Sequence, residues 1–364
     1  MEPETIDGRQ ATWLMIGLIL PTAFLVVPAI TVKHAGQGAW LSILVAVPVG
    51  LAVARMVVSI CLRFPGKSLL QCAEVILGRV PGKAVQFLYV WWFLHGAAFI
   101  SDEFGSFLCA AIMPDTPPLV FFIVGTAVVA YGVRHGLEVL ARYTQVFLPL
   151  TLTLLSVVLL LAVTEMKFSR LLPLLERTPA EILKGAATPM SWLGESVILG
   201  LIVPNLARPR EAMAVAVRAL LFVSFFLWAC VAAAILVYGP VLPAGWLFPT
   251  YNVVRVVSIA NFLERLDAVV VAAWMFGGFT KVGLFLYAAA LGSAQALGLR
   301  DYRPLVGPLA VILVGLATLC RSVVDLRDFA ARVWPAYTLL PFALGFPLLL
   351  LAVAALRRLG ARKA

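Results

Sequence analysis

Residues 11–32, ATWLMIGLILPTAFLVVPAITV, form a stretch without a single Asp, Glu, Lys or Arg. A helix needs roughly 20 apolar residues, at a rise of about 1.5 Å each, to cross the hydrocarbon core of a bilayer. The stretch therefore predicts a membrane-spanning helix. Proline removes a backbone donor from a helix, so Pro21 and Pro28 predict that this helix is broken.

The composition of the whole chain agrees with this stretch. Of the 364 residues 62% are apolar and only 13% are charged, and the mean hydropathy is +1.01. Soluble domains are about half apolar and a quarter charged. The sequence therefore predicts a multi-pass membrane protein. Its net charge of +10 indicates basic cytoplasmic loops rather than a nucleic-acid-binding face.

Similar apolar runs recur along the chain and predict ten spans. Backbone groups in lipid must pair internally, and the runs lack the alternating pattern of a membrane barrel, so the predicted fold is an all-α integral membrane protein. We expect one permease-like domain over residues 1–364. Its predicted helices cover residues 11–32, 37–60, 84–110, 117–133, 142–164, 186–206, 212–239, 268–297, 304–320 and 333–357.

The basic residues predict the orientation of these spans. With the N-terminus placed inside, the cytoplasmic segments hold sixteen Lys and Arg, and the short outer loops hold four. Positive charge accumulates in cytoplasmic loops. Both termini are therefore predicted to be cytoplasmic.

Two connections contain predicted helices of their own. In residues 63–83, Ser68 is a plausible N-cap and Gly78 a C-terminal stop for a helix lying at the cytoplasmic interface. In residues 248–267, Val253, Val256 and nearby apolar residues share one helical face. This second pattern predicts either an amphipathic helix on the outer leaflet, with a polar face for a partner, or a helix that merely caps the bundle.

The sequence gives no support for a metal, a cofactor or an enzyme. The five cysteines are scattered without a C-x-x-C pair, and the three histidines lie in different segments. No nucleophile, base and orienting group converge in the sequence. We therefore expect neither catalytic residues nor a bound metal or cofactor.

Ten helices divide into two sets of five, and an odd number per half inverts the second half in the membrane. Transporters built in this way, with a LeuT-like inverted repeat, bind ligands where the first helix of each half is broken. Helix 6 contains Pro189, Gly194, Gly200 and Pro204, which matches the prolines of helix 1. We therefore predict broken helices 1 and 6 beside a ligand cavity.

Charges inside the predicted spans mark the candidate site, because burying a charge costs at least a few kcal/mol. Glu195 lies in helix 6 and Lys281 in helix 8, and the two could pair across the cavity. Asp102 and Glu103 are interpreted instead as a wet helix terminus. The candidate ligand-binding residues are Gly17, Pro21, Thr22, Ser191, Gly194, Glu195, Trp274 and Lys281.

Residues 248–308 resemble the GerAB-type spore germination permease family. Phe248-Pro249, the box Glu264-Arg265-Leu266-Asp267, and then Trp274, Lys281 and Tyr287 carry the resemblance, which extends over essentially the whole chain. Asp102 stands where we expect a basic residue before Glu-Phe. The family belongs to the amino acid, polyamine and organocation (APC) transporter superfamily.

The resemblance implies a germinant-receptor subunit of the spore inner membrane that binds a small nutrient such as an amino acid. Its implied partners are a larger membrane subunit and a lipoprotein, with Glu264, Arg265 and Asp267 as candidate interface residues. An ordinary proton- or sodium-coupled amino-acid transporter remains the alternative, because a receptor and a transporter share the same cavity.

Overall fold

The apolar runs form helices in the computed structural model, which describes residues 4–173, 176–256, 267–319 and 323–360. Within these ranges there is no β-strand beyond one isolated bridge between Ile6 and Leu206. The α-helices are α1 (Gly8–Ala35), α2 (Ala39–Arg63), α3 (Leu69–Leu77), α4 (Arg79–Ala111), α5 (Pro118–Arg134), α6 (Leu137–Leu161), α7 (Pro179–Gly194), α8 (Leu199–Ile202), α9 (Ala212–Tyr238), α10 (Leu242–Gly245), α11 (Pro249–Val256), α12 (Asp267–Leu297), α13 (Arg303–Ala317), α14 (Val323–Asp328), α15 (Trp334–Tyr337) and α16 (Phe346–Leu356).

Seven helical stretches among the described residues are long and apolar enough to cross a membrane. The first of them, Gly8–Arg63, contains both α1 and α2, and α5 and α13 are shorter apolar helices. The molecule is thus a multi-pass helical membrane protein. The count of ten spans, and their division into two sets of five, stay predictions.

The outer surface of the bundle is apolar. Phe225 is 67% exposed, Val311 74% and Leu340 67%, although each lies within an apolar helical stretch. Soluble proteins rarely expose such side chains in contiguous patches. These faces are therefore the ones that suit contact with lipid.

Helix α1 lies at the centre of the bundle, and every residue from Leu14 to Val32 is buried. It packs against α6, α7, α9 and α12. A helix that is apolar on all sides is stable only in such a surrounded position.

The predicted break in the first helix is absent, because α1 runs as one α-helix through both prolines. Pro28 has no N–H for the Phe24 carbonyl, but the Thr250 hydroxyl of α11 donates a hydrogen bond to that oxygen at 2.5 Å. A side chain distant in sequence thus replaces the missing backbone bond, and the helix continues.

The sixth predicted span has the expected interruption. Helix α7 ends at Gly194, the 3₁₀ turn Glu195–Ile198 follows, and α8 and a second 3₁₀ turn, Val203–Asn205, complete the span. The span begins at Pro179 rather than at residue 186, because Thr178 and Glu181 form a capping box ahead of the apolar run.

The last span also begins earlier than predicted, at Val323 rather than at Val333. Its first turns carry charged residues, including Asp328 and Arg332, whose side chains approach to 3.7 Å and are largely exposed. A search for uncharged runs misses such a helix start. The span also contains two π-helical stretches, Phe329–Val333 and Thr338–Gly345.

The first predicted connecting helix is present as expected, and the second is described in part. Helix α3 has the expected Ser68 cap, with Gln71 completing a capping box, and ends at Gly78, whose φ of 94° suits glycine. Helix α11 covers Pro249–Val256 with Val253 buried and Arg255 exposed. The rest of that predicted helix, residues 257–266, lies outside the described residues.

The first and the last described segments of the chain lie at the same end of the bundle. Ile6 exchanges backbone hydrogen bonds with Asn205 and Ala207 at 2.9 Å each. Pro204 lines a cavity together with the segment that follows α16. The N-terminal segment and the end of α16 therefore both lie beside the end of the interrupted span.

Glu4 fastens the N-terminal segment to this end of the bundle. Its carboxylate accepts hydrogen bonds from the Leu137 amide at 2.7 Å and from the Tyr302 hydroxyl at 3.3 Å, and it lies 3.3 Å from the Arg303 guanidinium. Burial and the adjacent carboxylate raise the pKa of the Tyr302 phenol, so the phenol remains a donor.

Candidate functional site

Glu195 and Lys281 form an ion pair in the interior of the bundle. Lys281 Nζ lies 2.8 Å from Glu195 Oε2 and 3.2 Å from Oε1, and the two side chains are 1% and 0% exposed. Glu195 is the first residue of the 3₁₀ turn, and Lys281 lies in the middle of α12. The pair therefore connects the interrupted span to α12, as the sequence suggested.

Thr22 joins this pair from α1. Its hydroxyl oxygen accepts hydrogen bonds from Lys281 Nζ at 2.8 Å and from the Trp192 indole at 2.9 Å. The Lys281 ammonium also lies 5.6 Å from the centre of the Trp192 ring, within the range of a cation–π interaction. Three helices thus contribute polar groups to one buried point.

Glu103 of α4 is a second buried carboxylate, and the interpretation as a wet helix terminus is wrong. Glu103 is 2% exposed and Asp102 is 4% exposed, because α4 packs against α12 and buries both residues. Asp102 accepts a hydrogen bond from Ser106 at 2.9 Å. The predicted helix already extended to residue 110, but which of its faces packs against other helices depends on the tertiary structure.

The Glu103 carboxylate interacts electrostatically with both Lys281 and Glu195. Neither of its oxygens has a hydrogen-bond partner among the described residues. Buried carboxylates are normally satisfied by donors, so this one is available for a further cationic or hydrogen-bonding group. We refer to Glu103, Glu195 and Lys281 as the central cluster.

The central cluster carries two acids and one base. A zwitterion has the complementary charges, since its ammonium suits an acid and its carboxylate suits a base. A small cavity of about 20 Å³ adjoins Glu103 and is also lined by Phe248 and Arg327. That volume accommodates about one water molecule, so this conformation is closed.

Other predicted site residues serve helix packing. A Cβ on Gly17 would lie 2.8 Å from a methyl group of Thr280, and a Cβ on Gly277 would lie 2.3 Å from Pro21. Gly17 and Pro21 therefore bring α1 close to α12. Gly194 faces the π-helical stretch Thr338–Gly345, since a Cβ on Gly194 would lie 3.1 Å from Ala343.

Ser191 and Trp274 are buried but point elsewhere. The Ser191 hydroxyl donates to the Thr188 carbonyl of its own helix at 2.7 Å. Trp274 stacks on Phe104 with ring centres 4.9 Å apart and meets Phe107 edge-on at 4.6 Å. The Trp274 indole nitrogen has no acceptor within the described ranges.

The candidate interface residues are only partly described. Glu264 and Arg265 lie outside the described residues, and Asp267 begins α12. Within the described ranges no group of three or more His, Cys, Asp and Glu side chains could hold a metal ion.

The fold resembles those of solved small-molecule transporters. MhsT in complex with L-phenylalanine has a TM-score of 0.67 at 12% identity, with coverage of 98% of this chain and 99% of that one. A Na⁺-coupled sialic acid symporter has a TM-score of 0.66 at 11% identity, covering 99% and 80% of the two chains. MHP1, a nucleobase-cation-symport-1 family transporter, has a TM-score of 0.66 at 13% identity, covering 94% and 77%. The predicted transporter fold is therefore confirmed.

Sequence relatives are spore germination proteins. Protein KB of Bacillus subtilis (strain 168) is 28% identical over 359 residues, which cover 97% of this chain and 95% of that protein. YndE of the same organism is 22% identical, covering 85% and 86% of the two chains. The model of the family described as "Spore germination protein" matches residues 5–323. The resemblance noted in the sequence is thus confirmed, and the chain belongs to the spore germination permease family, which is not an enzyme family.

Proposed function

We propose that the protein is a germinant-receptor subunit that binds an amino acid at the central cluster. Its relatives are spore germination proteins, and its fold is that of transporters solved with small molecules bound. A receptor function accounts for both findings, because a germination protein with a transporter fold has a place to bind a small nutrient.

The observation that carries this proposal is the state of Glu103. Glu195 is already paired with Lys281, whereas both oxygens of Glu103 are buried without a hydrogen-bond partner in the described part of the chain. A ligand ammonium beside Glu103 and a ligand carboxylate beside Lys281 would complete the cluster. Thr22 and Trp192 would then position the lysine.

Ligand entry requires a conformational change, because the cavity beside Glu103 has a volume of only about 20 Å³. A ligand shifts such an equilibrium only by its difference in affinity for the two states. We infer that the germinant favours a second state. In that state α1 and the interrupted span lie at a different distance from α4 and α12 than they do in this conformation. This shift would be the signal passed to the partner subunits.

A thermal-shift screen of the purified protein against single amino acids tests ligand binding. We expect one or a few amino acids to raise the melting temperature, and Glu103→Gln to weaken that ligand about 10- to 100-fold, the value of a charge-assisted hydrogen bond. Glu165→Gln, at an exposed acid, is the matched control. No stabilising amino acid, or unchanged affinity in Glu103→Gln, would contradict the proposal.

We propose the spore inner membrane as the location, with both termini cytoplasmic and a large membrane subunit and a lipoprotein as partners. Glu264, Arg265 and Asp267 would contribute to that interface. Arg265→Ala should then reduce co-purification of the two partner subunits while leaving amino-acid binding intact. Normal complex formation by Arg265→Ala at normal protein abundance would remove this part of the proposal.

A proton- or sodium-coupled amino-acid transporter is the second candidate function. The observation in its favour is the same unpartnered Glu103, since a buried acid can also carry a proton. Uptake of the labelled amino acid into proteoliposomes, with and without an ion gradient, separates the two functions. Net accumulation driven by the gradient would favour transport, and binding without uptake would favour the receptor.

A further inference from the structure

A second cavity, far larger than the one beside Glu103, opens at the end of the bundle where the segment after α16 lies beside the interrupted span. Its volume is about 1290 Å³. It lies between the end of α2, the end of the interrupted span and the segment after α16. Four basic residues line it, and we call it the basic cavity: Arg63, Lys67, Arg210 and Arg358.

The charges of the basic cavity have one sign. No Asp or Glu is among the described residues that line it. None of its four cations lies within 4 Å of an acidic side chain in the described ranges, and all four are exposed. Elsewhere on the surface, by contrast, Arg142, Arg177 and Arg208 each have an acidic partner.

Part of the wall of the basic cavity is apolar. Leu62, Val203 and Leu359 line it beside the cations. The Cys61 thiol lies 3.5 Å from the Gly200 carbonyl, and a Cβ on Gly200 would lie 2.7 Å from Val57. The cavity thus combines a cationic rim with a hydrocarbon surface at the end of membrane-spanning helices.

Arg358 has a backbone conformation that normally belongs to glycine. Its φ is 52°, the only positive value for a non-glycine residue in the described ranges. The Leu359 and Arg358 amides donate to Ala354 and Ala355, which is the hydrogen-bond pattern of a Schellman motif. The end of α16 therefore has an arginine where helices usually have glycine.

The end of α12 provides an internal comparison. There Leu299 and Gly298 make the same pair of hydrogen bonds, to Ala294 and Gln295, and Gly298 has φ 72°. The same motif therefore contains glycine in one helix and arginine in the other. Backbone geometry alone does not call for an arginine at 358, and its side chain lines the basic cavity.

We propose that the basic cavity binds the headgroup of an anionic phospholipid, with an acyl chain against the apolar wall. Basic pockets between helices at the cytoplasmic side suit such headgroups, and this end is the one predicted to be cytoplasmic. The site is independent of the amino-acid site, because it shares no residue with the central cluster. The negative dipole ends at the C-termini of α2 and α16 also favour nearby cations. That effect alone does not select a lipid.

The test uses the full-length protein, delipidated in a non-ionic detergent and titrated with phosphatidylglycerol, with phosphatidylcholine, or with sn-glycerol 3-phosphate. Bound lipid is counted by native mass spectrometry, and the melting temperature is followed in parallel. We expect saturable binding of phosphatidylglycerol, weakened by salt, and little effect of the other two. Equal binding of phosphatidylcholine, or the same saturation with sn-glycerol 3-phosphate, would overturn the proposal.

Arg358→Gly is the decisive variant. Glycine suits the positive φ, so the variant should fold at least as well as the native chain while losing one cation. Each cation near an anionic headgroup contributes about fivefold in affinity, so we expect a fivefold loss in Arg358→Gly and about 25-fold with Lys67→Gln added. Arg300→Gln, an exposed arginine outside the cavity, should change affinity less than about twofold. Unchanged phosphatidylglycerol affinity in Arg358→Gly would refute the site.

Discussion

The central cluster and the basic cavity differ in how their positive charges are surrounded. Lys281 is 1% exposed and has a carboxylate at 2.8 Å and a hydroxyl at 2.8 Å, because a buried ammonium without partners would be very costly. The cations of the basic cavity face solvent and have no acidic partners in the described ranges. The buried ammonium of Lys281 is thus paired locally, whereas exposure allows charges of one sign to accumulate for a partner outside the chain.

The largest effect should follow from breaking the buried pair on one side only. Lys281→Met leaves the Glu195 carboxylate buried opposite an apolar side chain, which should cost about 3–5 kcal/mol of stability. We expect a large loss of folded protein in the membrane, measured as abundance and as thermal stability in detergent.

The double variant Glu195→Gln with Lys281→Met separates stability from binding. It removes both charges, so abundance should recover. Recovered abundance with normal germinant sensitivity would show a purely structural pair and contradict a binding role for Glu195 and for Lys281. Recovered abundance with lost sensitivity would support a binding role for the pair, including the proposed contact of Lys281 with the ligand carboxylate.

An intermediate effect is expected at Thr250, whose uncharged hydroxyl replaces the backbone hydrogen bond that Pro28 cannot make. Thr250→Val keeps the shape but leaves the Phe24 carbonyl without its donor, and an unsatisfied buried group costs about 1–3 kcal/mol. Thermal unfolding of the purified protein measures this cost. Thr250→Ser, which retains the hydroxyl, should stay near the native value, and equal stability of the Val and Ser variants would disprove the compensation.

The smallest effect is expected for an exposed pair. Glu138 and Arg142 lie one turn apart on α6, with side chains 39% and 69% exposed. Glu138→Gln should cost less than about 0.5 kcal/mol, because water and salt screen such pairs. If Glu138→Gln lost as much stability as Lys281→Met, burial would not explain the difference between the exposed pair and the buried pair.

The sequence by itself determined the helical elements and the two isolated charges within them. An apolar run long enough to cross a bilayer can only be helical in lipid. Glu195 and Lys281 are each a single charge within such a run, which marks them as candidate site residues. The cap at Ser68 and the interruption after Gly194 were equally readable, because both depend on neighbours within a few residues.

Tertiary structure decided what depends on partners distant in the chain. Helix α1 stays continuous because Thr250 donates to it across more than 200 positions of sequence. Glu103 is a buried acid because α4 packs against α12. The basic cavity gathers residues 63, 67, 210 and 358 at one place. Local propensity determines where most helices begin and end, but only packing determines which side chains come into proximity. Both proposed sites are formed by residues that packing brings together.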